Sequence, residues 1–117
     1  MRTIIYKEAL DLVKKVKAGL TKKILCIIIA DNQCPACVGM IDDILPQVEE
    51  KYNGEIDLVE LNWNSEDLIF PPEKIPICFF YVRGQDIFPI IKVGPAPLEG
   101  VLQDVGEMIK FNRKYND

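Results

Sequence analysis

Seven consecutive apolar residues, Ile24-Leu25-Cys26-Ile27-Ile28-Ile29-Ala30, run directly into Asp31-Asn32-Gln33-Cys34-Pro35-Ala36-Cys37. A run this short and unbroken, entered from the polar Thr21-Lys22-Lys23, predicts a central strand covered on both faces, and so a sheet with helices on two sides. The stretch after it carries a helical pattern. Pro35 suits the first helical position, where a missing N–H costs nothing and the fixed φ is already helical. A strand that feeds Cys-x-x-Cys into a helix is a redox arrangement, because the free N–H groups and positive end of the helix favour a thiolate on the first cysteine. Cys34 is the predicted nucleophile. Cys37, one turn on, is placed to displace the product from a mixed disulfide and close an intramolecular bond.

The flanking segments fit that frame. Ile5, Ala9, Leu12, Val13, Val16 and Leu20 recur at three- and four-residue spacing, which predicts an amphipathic helix from about Ile5 to Leu20. Thr3-Ile4-Ile5-Tyr6 reads equally as a short strand before it. Beyond Cys34, the stripe Val38, Ile41, Ile44, Leu45, Val48 predicts a helix to about Lys51, kinked in the turn before Pro46. Glu55 to Leu61 begins with polar and apolar residues in alternation, which suggests a strand nearer the sheet's edge. Asn62 to Lys74 reads as a loop with one helical turn around Ser65-Leu68. Ile77 to Val82 is a buried strand by composition, Arg83-Gly84-Gln85 a hairpin signal, and Asp86 to Val93 the returning strand, confined to an edge by Pro89. Leu98, Val101, Leu102, Val105, Met108, Ile109 and Tyr115 trace a last amphipathic helix. The sum is one α/β domain over 1–117, a mixed four- or five-stranded sheet between helices.

Charge and cysteine usage narrow the function. Fourteen basic against 18 acidic residues leave a net charge of −4, which gives no electrostatic footprint for nucleic acid and no attraction to an anionic membrane. No apolar stretch approaches the roughly 18 residues of a membrane span, and no export signal is visible. Four cysteines without such a signal point to a reducing, cytoplasmic setting with catalytic rather than structural sulfur. A zinc site needs four ligands, yet the chain has no histidine, and Cys26 and Cys78 stand singly in apolar strands. No metal and no cofactor is expected; a metal bridged between two chains is the alternative. Cys26 and Cys78 read as small buried apolar residues, the sharper alternative being a second disulfide or a backup thiol beneath the site. Trp63 is as well suited to ordinary packing as to capping a groove, and Glu49, Glu50, Glu66 and Asp67 read as solvated surface.

These residues resemble the thioredoxin family. The likeness covers nearly the whole chain: Cys34-Pro35-Ala36-Cys37 after an apolar strand, Ile75-Pro76 opening a later strand, the Arg83-Gly84-Gln85 hairpin, Lys92-Val93-Gly94 and a closing helix. It implies the thioredoxin fold and a cis Pro76 against the cysteines. It also implies a substrate groove formed by Gln33, Pro35, Ala36, the backbone of Ile75, Pro76 and Gly94, with an extended peptide paired to Ile75 as an added strand. The implied activity is thiol–disulfide exchange on protein disulfides or glutathione mixed disulfides, with a reductase or glutathione as electron donor. An adaptor or redox sensor that binds one partner protein with little turnover is the alternative. The departures are specific. Gln33 stands where many thioredoxins have Trp, Pro35-Ala36 where they have Gly-Pro, and Ile28 where they bury an aspartate. A proline directly after the first cysteine looks more like glutaredoxins and disulfide isomerase-like members.

Overall fold

The computed structural model describes residues 1–64, 73–83 and 89–114. Its centre is β2, Ile24–Ala30, in which every residue is buried. Ile24, Cys26, Ile28 and Ala30 face one apolar cluster, and Leu25, Ile27 and Ile29 face the other. Burying one large aliphatic side chain is worth roughly 1.5–3 kcal/mol, so a strand buried on both faces dominates the packing. It has no polar face that would allow it at an edge. Accordingly β2 pairs in parallel with β3, Ile56–Asn62, and antiparallel with β4, Ile77–Tyr81. A short β1, Arg2–Ile4, adds to β3, and β5, Ile90–Val93, adds to β4. The sheet therefore has five strands in the order β1-β3-β2-β4-β5.

Two sequence expectations change here. The strand alternative at the N-terminus is the one observed, and β1 takes the edge that the alternation of residues 55–61 had suggested for β3. Because β1 covers one side of it, β3 lies one strand in. β5 does take the opposite edge, and Pro89 directly precedes it, where its missing N–H interrupts no ladder. The predicted helical turn at Ser65-Leu68, the tip of the Arg83-Gly84-Gln85 hairpin and Tyr115 lie outside the described residues.

Helix α1, Tyr6–Lys17, packs Ala9 and Val16 on the cluster that contains Leu25, Ile27, Ile29, Val59 and Leu61. Its start is fixed by Glu8, whose carboxylate accepts the Ile5 N–H at 3.3 Å; Lys14, Lys15 and Lys17 occupy its last turn, where cations complement the negative end of the helix. The opposite face is covered by α2, Pro35–Gly39, α3, Leu45–Lys51, and α4, Leu98–Lys114. Between α2 and α3 the chain makes a π-helical turn, Met40–Ile44, in which the Leu45 N–H reaches back five residues to the Met40 carbonyl. Pro46 explains the widening. It cannot donate to the carbonyl four residues back, and its ring needs space there. The predicted kink is thus a π-turn.

Helices α3 and α4 are tied to each other, and α4 is tied to the sheet. Tyr52 Oη donates to the Leu102 carbonyl at 3.0 Å, and a Cβ at Gly106 would stand 2.7 Å from that oxygen, so α4 needs glycine where Tyr52 crosses it. Asn112, 3% exposed, accepts from the Arg83 N–H at 3.1 Å and donates to the Lys22 carbonyl at 2.7 Å. One side chain thereby links the entry to β2, the exit of β4 and the end of α4. Asn112→Ala removes both bonds and is expected to lower stability by roughly 1–3 kcal/mol. Urea unfolding checks this, and a loss within the error of the midpoint would show that solvent replaces both partners.

Candidate active site

The C-terminal end of β2 delivers the chain to a turn built by one aspartate. Asp31 Oδ1 accepts the Gln33 N–H at 3.1 Å, Oδ2 accepts the Asn64 side-chain amide at 3.2 Å, and its carbonyl accepts the Cys34 N–H at 3.1 Å. The Trp63 N–H bonds to the Ala30 carbonyl at 2.8 Å and ties the end of β3 to the same corner. Asp-Asn-Gln has the composition of an Asx-type turn, so the sequence did carry a signal for Asp31, which the motif reading passed over.

Cys34 caps α2 with extended backbone (φ −98°, ψ 112°), Pro35 follows in the first turn, and the Cys34 sulfur accepts the Cys37 N–H at 3.3 Å. The two cysteines are free thiols with unequal access: Cys34 is half-buried and Cys37 is fully buried among Met40, Leu45 and Val48. The Cys37 thiol is pushed up to about 11, first by its burial and then by a hydrogen bond to Cys34. A hydrogen bond from the Asp31 backbone pulls it down, and the charges of Cys34 and Asp31 push it up again. One sulfur is thus reachable and faces a backbone donor, while its neighbour keeps its proton.

Gln33 and Pro35 are exposed on either side of Cys34, and Ala36 is half-buried. The Ile75–Pro76 bond is cis, Pro76 is buried, and its carbonyl accepts the Gly94 N–H at 2.7 Å, which joins two of the predicted groove segments directly. Gly94 has φ 87°, a conformation that favours glycine. Cys34 and Ile75 both pack on the rim of the cluster that holds Cys37. Val38 departs from its predicted core position: at 37% exposure it is solvent-facing, because the side of the helical segment that enters the core is the one carrying Cys37, Met40, Leu45 and Val48. It supplies an apolar surface next to the sulfur. Trp63 packs on the α1 face of the sheet, as ordinary packing requires. Glu66 and Asp67 lie outside the described residues. No group of three or more metal-ligating side chains occurs among the described residues.

A crystal structure of chloroplastic thioredoxin z is similar over 92% of this chain and 93% of that one, with a TM-score of 0.76 and 16% sequence identity. The chain has the thioredoxin fold. No protein-family model and no curated protein matches the sequence, so the likeness to thioredoxins is one of architecture. Within the thioredoxin fold described here, no helix among the described residues is long and apolar enough to cross a membrane.

The asymmetry between the thiols has a direct chemical readout. Iodoacetamide is expected to label Cys34 first at pH 8, with Cys37 reacting only as the pH climbs toward about 11. Peptide mapping by mass spectrometry checks the order, and Cys37 labelled first would reverse the roles.

Proposed function

We propose that the chain is a thiol–disulfide oxidoreductase acting through Cys34 and Cys37 on protein disulfides or glutathione mixed disulfides, in a reducing compartment such as the cytoplasm. The observation that carries this reading is the pairing of a reachable Cys34 sulfur, held at a helix start by the Cys37 N–H, with a buried and protonated Cys37. Cys34 attacks one sulfur of the substrate disulfide; that S–S bond breaks, the other substrate sulfur leaves and takes a proton, and a mixed disulfide forms at Cys34. Cys37 then gives up its proton and attacks the Cys34 sulfur, releasing the second substrate thiol. Two electrons have passed to the substrate, and the Cys34–Cys37 disulfide is returned to dithiol by a reductase or by glutathione. In this reading Gln33, Pro35, Ala36, cis Pro76 and Gly94 line the substrate groove and the backbone of Ile75 pairs with an extended substrate; the bond from the Gly94 N–H to the Pro76 carbonyl supports it.

A second reading, an adaptor or sensor with little turnover, draws on Ile28. It is wholly buried in β2 and can neither take the Cys37 proton nor hold a water, so resolution of the mixed disulfide is the slow step. Under either reading Cys37→Ser accumulates covalent complexes and Cys34→Ser accumulates none; equal yields would end the division of roles. Turnover of a disulfide protein, measured once with a thioredoxin reductase and once with glutathione, separates the readings and identifies the donor.

The rate of resolution is expected to rise with pH, because burial, the largest cause of the raised Cys37 thiol, persists in the mixed disulfide. Ile28→Asp is expected to raise it at neutral pH while lowering stability, since an ionisable group enters an apolar strand without a partner. Stopped-flow kinetics on protein shown to be folded tests this. An unchanged rate would mean that solvent or another group already takes the proton.

A further inference from the structure

Cys26 and Cys78 are far apart in sequence, but strand register makes them neighbours. In the antiparallel β2–β4 pair Cys26 stands opposite Phe80 and Cys78 opposite Ile28, so the cysteines are diagonal to one another on the face that α2, α3 and α4 cover. Diagonal positions across such a pair lie roughly 7–8 Å apart with the Cβ atoms somewhat closer, each of these two thiols shifts the proton affinity of the other, and a disulfide bond between them draws the two strands together locally. Their access differs. Cys26 is 0% exposed, whereas Cys78 lines a cavity of about 120 Å³ between the sheet and α4. Phe80, Ala96 and Val101 line it with Cys78, and so do Lys92 and Asp104, which form an exposed ion pair at 3.4 Å. At roughly 30 Å³ for each water it holds a few waters. A molecule of that size fits, and a protein disulfide or glutathione does not.

We propose that Cys78 and Cys26 form a second redox site, in which a small hydroperoxide entering this cavity oxidises Cys78 and the two thiols then close a disulfide. The Cys78 sulfur attacks the terminal peroxide oxygen. The O–O bond breaks, Cys78 becomes a sulfenic acid, and the other oxygen leaves with the thiol proton as water or an alcohol. The Cys26 sulfur then attacks the Cys78 sulfur, the S–O bond breaks, and the hydroxyl leaves as water with the Cys26 proton. Two electrons pass from the thiols to the peroxide. The order of attack has a physical basis beyond access. Burial foremost, and then the hydrogen bond to Cys78, push Cys26 well up, while the same hydrogen bond pulls Cys78 down. The more acidic thiol is the one at the cavity.

The test uses Cys34→Ser/Cys37→Ser protein, in which only the buried pair can react, challenged with hydrogen peroxide under native conditions. Intact mass and peptide mapping are expected to show the loss of two hydrogens and a Cys26–Cys78 link, formed faster than the protein unfolds globally by hydrogen exchange. Adding Ala96→Leu, which fills the cavity and keeps both thiols, is expected to remove most of that rate. Adding Cys26→Ser is expected to stop the reaction at an added oxygen on Cys78. The proposal is overturned if the folded protein resists oxidation, if oxidation runs at the rate of global unfolding, or if Ala96→Leu leaves the rate unchanged.

Discussion

The N–H of Cys37 pointing at the sulfur of Cys34 is the contact on which the site depends, and it exists only if the helix starts at one residue. Three features set that start. Cys34 has extended backbone, so it cannot be inside the helix. Pro35 has no N–H to give and its φ is already helical. Asp31 closes the preceding turn by accepting both the Cys34 and Gln33 N–H groups. A start one residue later would aim the free donors away from Cys34.

The same helix is held down by its buried side. Cys37, Met40, Leu45 and Val48 enter the cluster beneath it, and the π-turn that admits Pro46 lets residues on both sides of the proline reach that cluster. A regular α-helix would lose either the proline or the register of one end. The burial that anchors the helix is also the largest cause of the raised Cys37 thiol, so packing and proton affinity at this residue have one origin. An apolar core under Cys37 stabilises the fold and at the same time disfavours a thiolate there.

What could be read from the sequence follows from which interactions are local. The unbroken apolar run of β2, the three- and four-residue stripes of α1 and α4, and proline next to a cysteine at a helix start are patterns within one segment, and all of these elements appear. β1 is too short to show a period, and which strand takes an edge is decided by pairing, so β3 was placed too far out. Val38 belongs by spacing to the stripe of Ile41, but the side of the segment that enters the core is the one carrying Cys37, Met40, Leu45 and Val48. A pairing of Cys26 with Cys78 could be named only as an alternative, because their proximity depends on the register between β2 and β4 and no local pattern encodes that. Asp31 was legible as turn chemistry, but its effect on Cys37 needs the fold.

That effect closes the argument about the missing buried acid. Glu60 is the residue of β3 directly beside Ile28, and its carboxyl is pushed up by partial burial and then by the charge of Asp42, with the N-terminus pulling it down. Cys37 is not among the groups that shift it, and Glu60 is not among those that shift Cys37. The carboxylate that does act on Cys37 is that of Asp31, and its charge raises the thiol, while the backbone of the same residue lowers it. An acid at the mouth of the strand thus opposes the thiolate by its charge, and its side chain is already engaged by Gln33 and Asn64. With isoleucine in the strand itself, no side chain of β2 offers Cys37 a proton acceptor, and burial keeps its thiol raised to about 11.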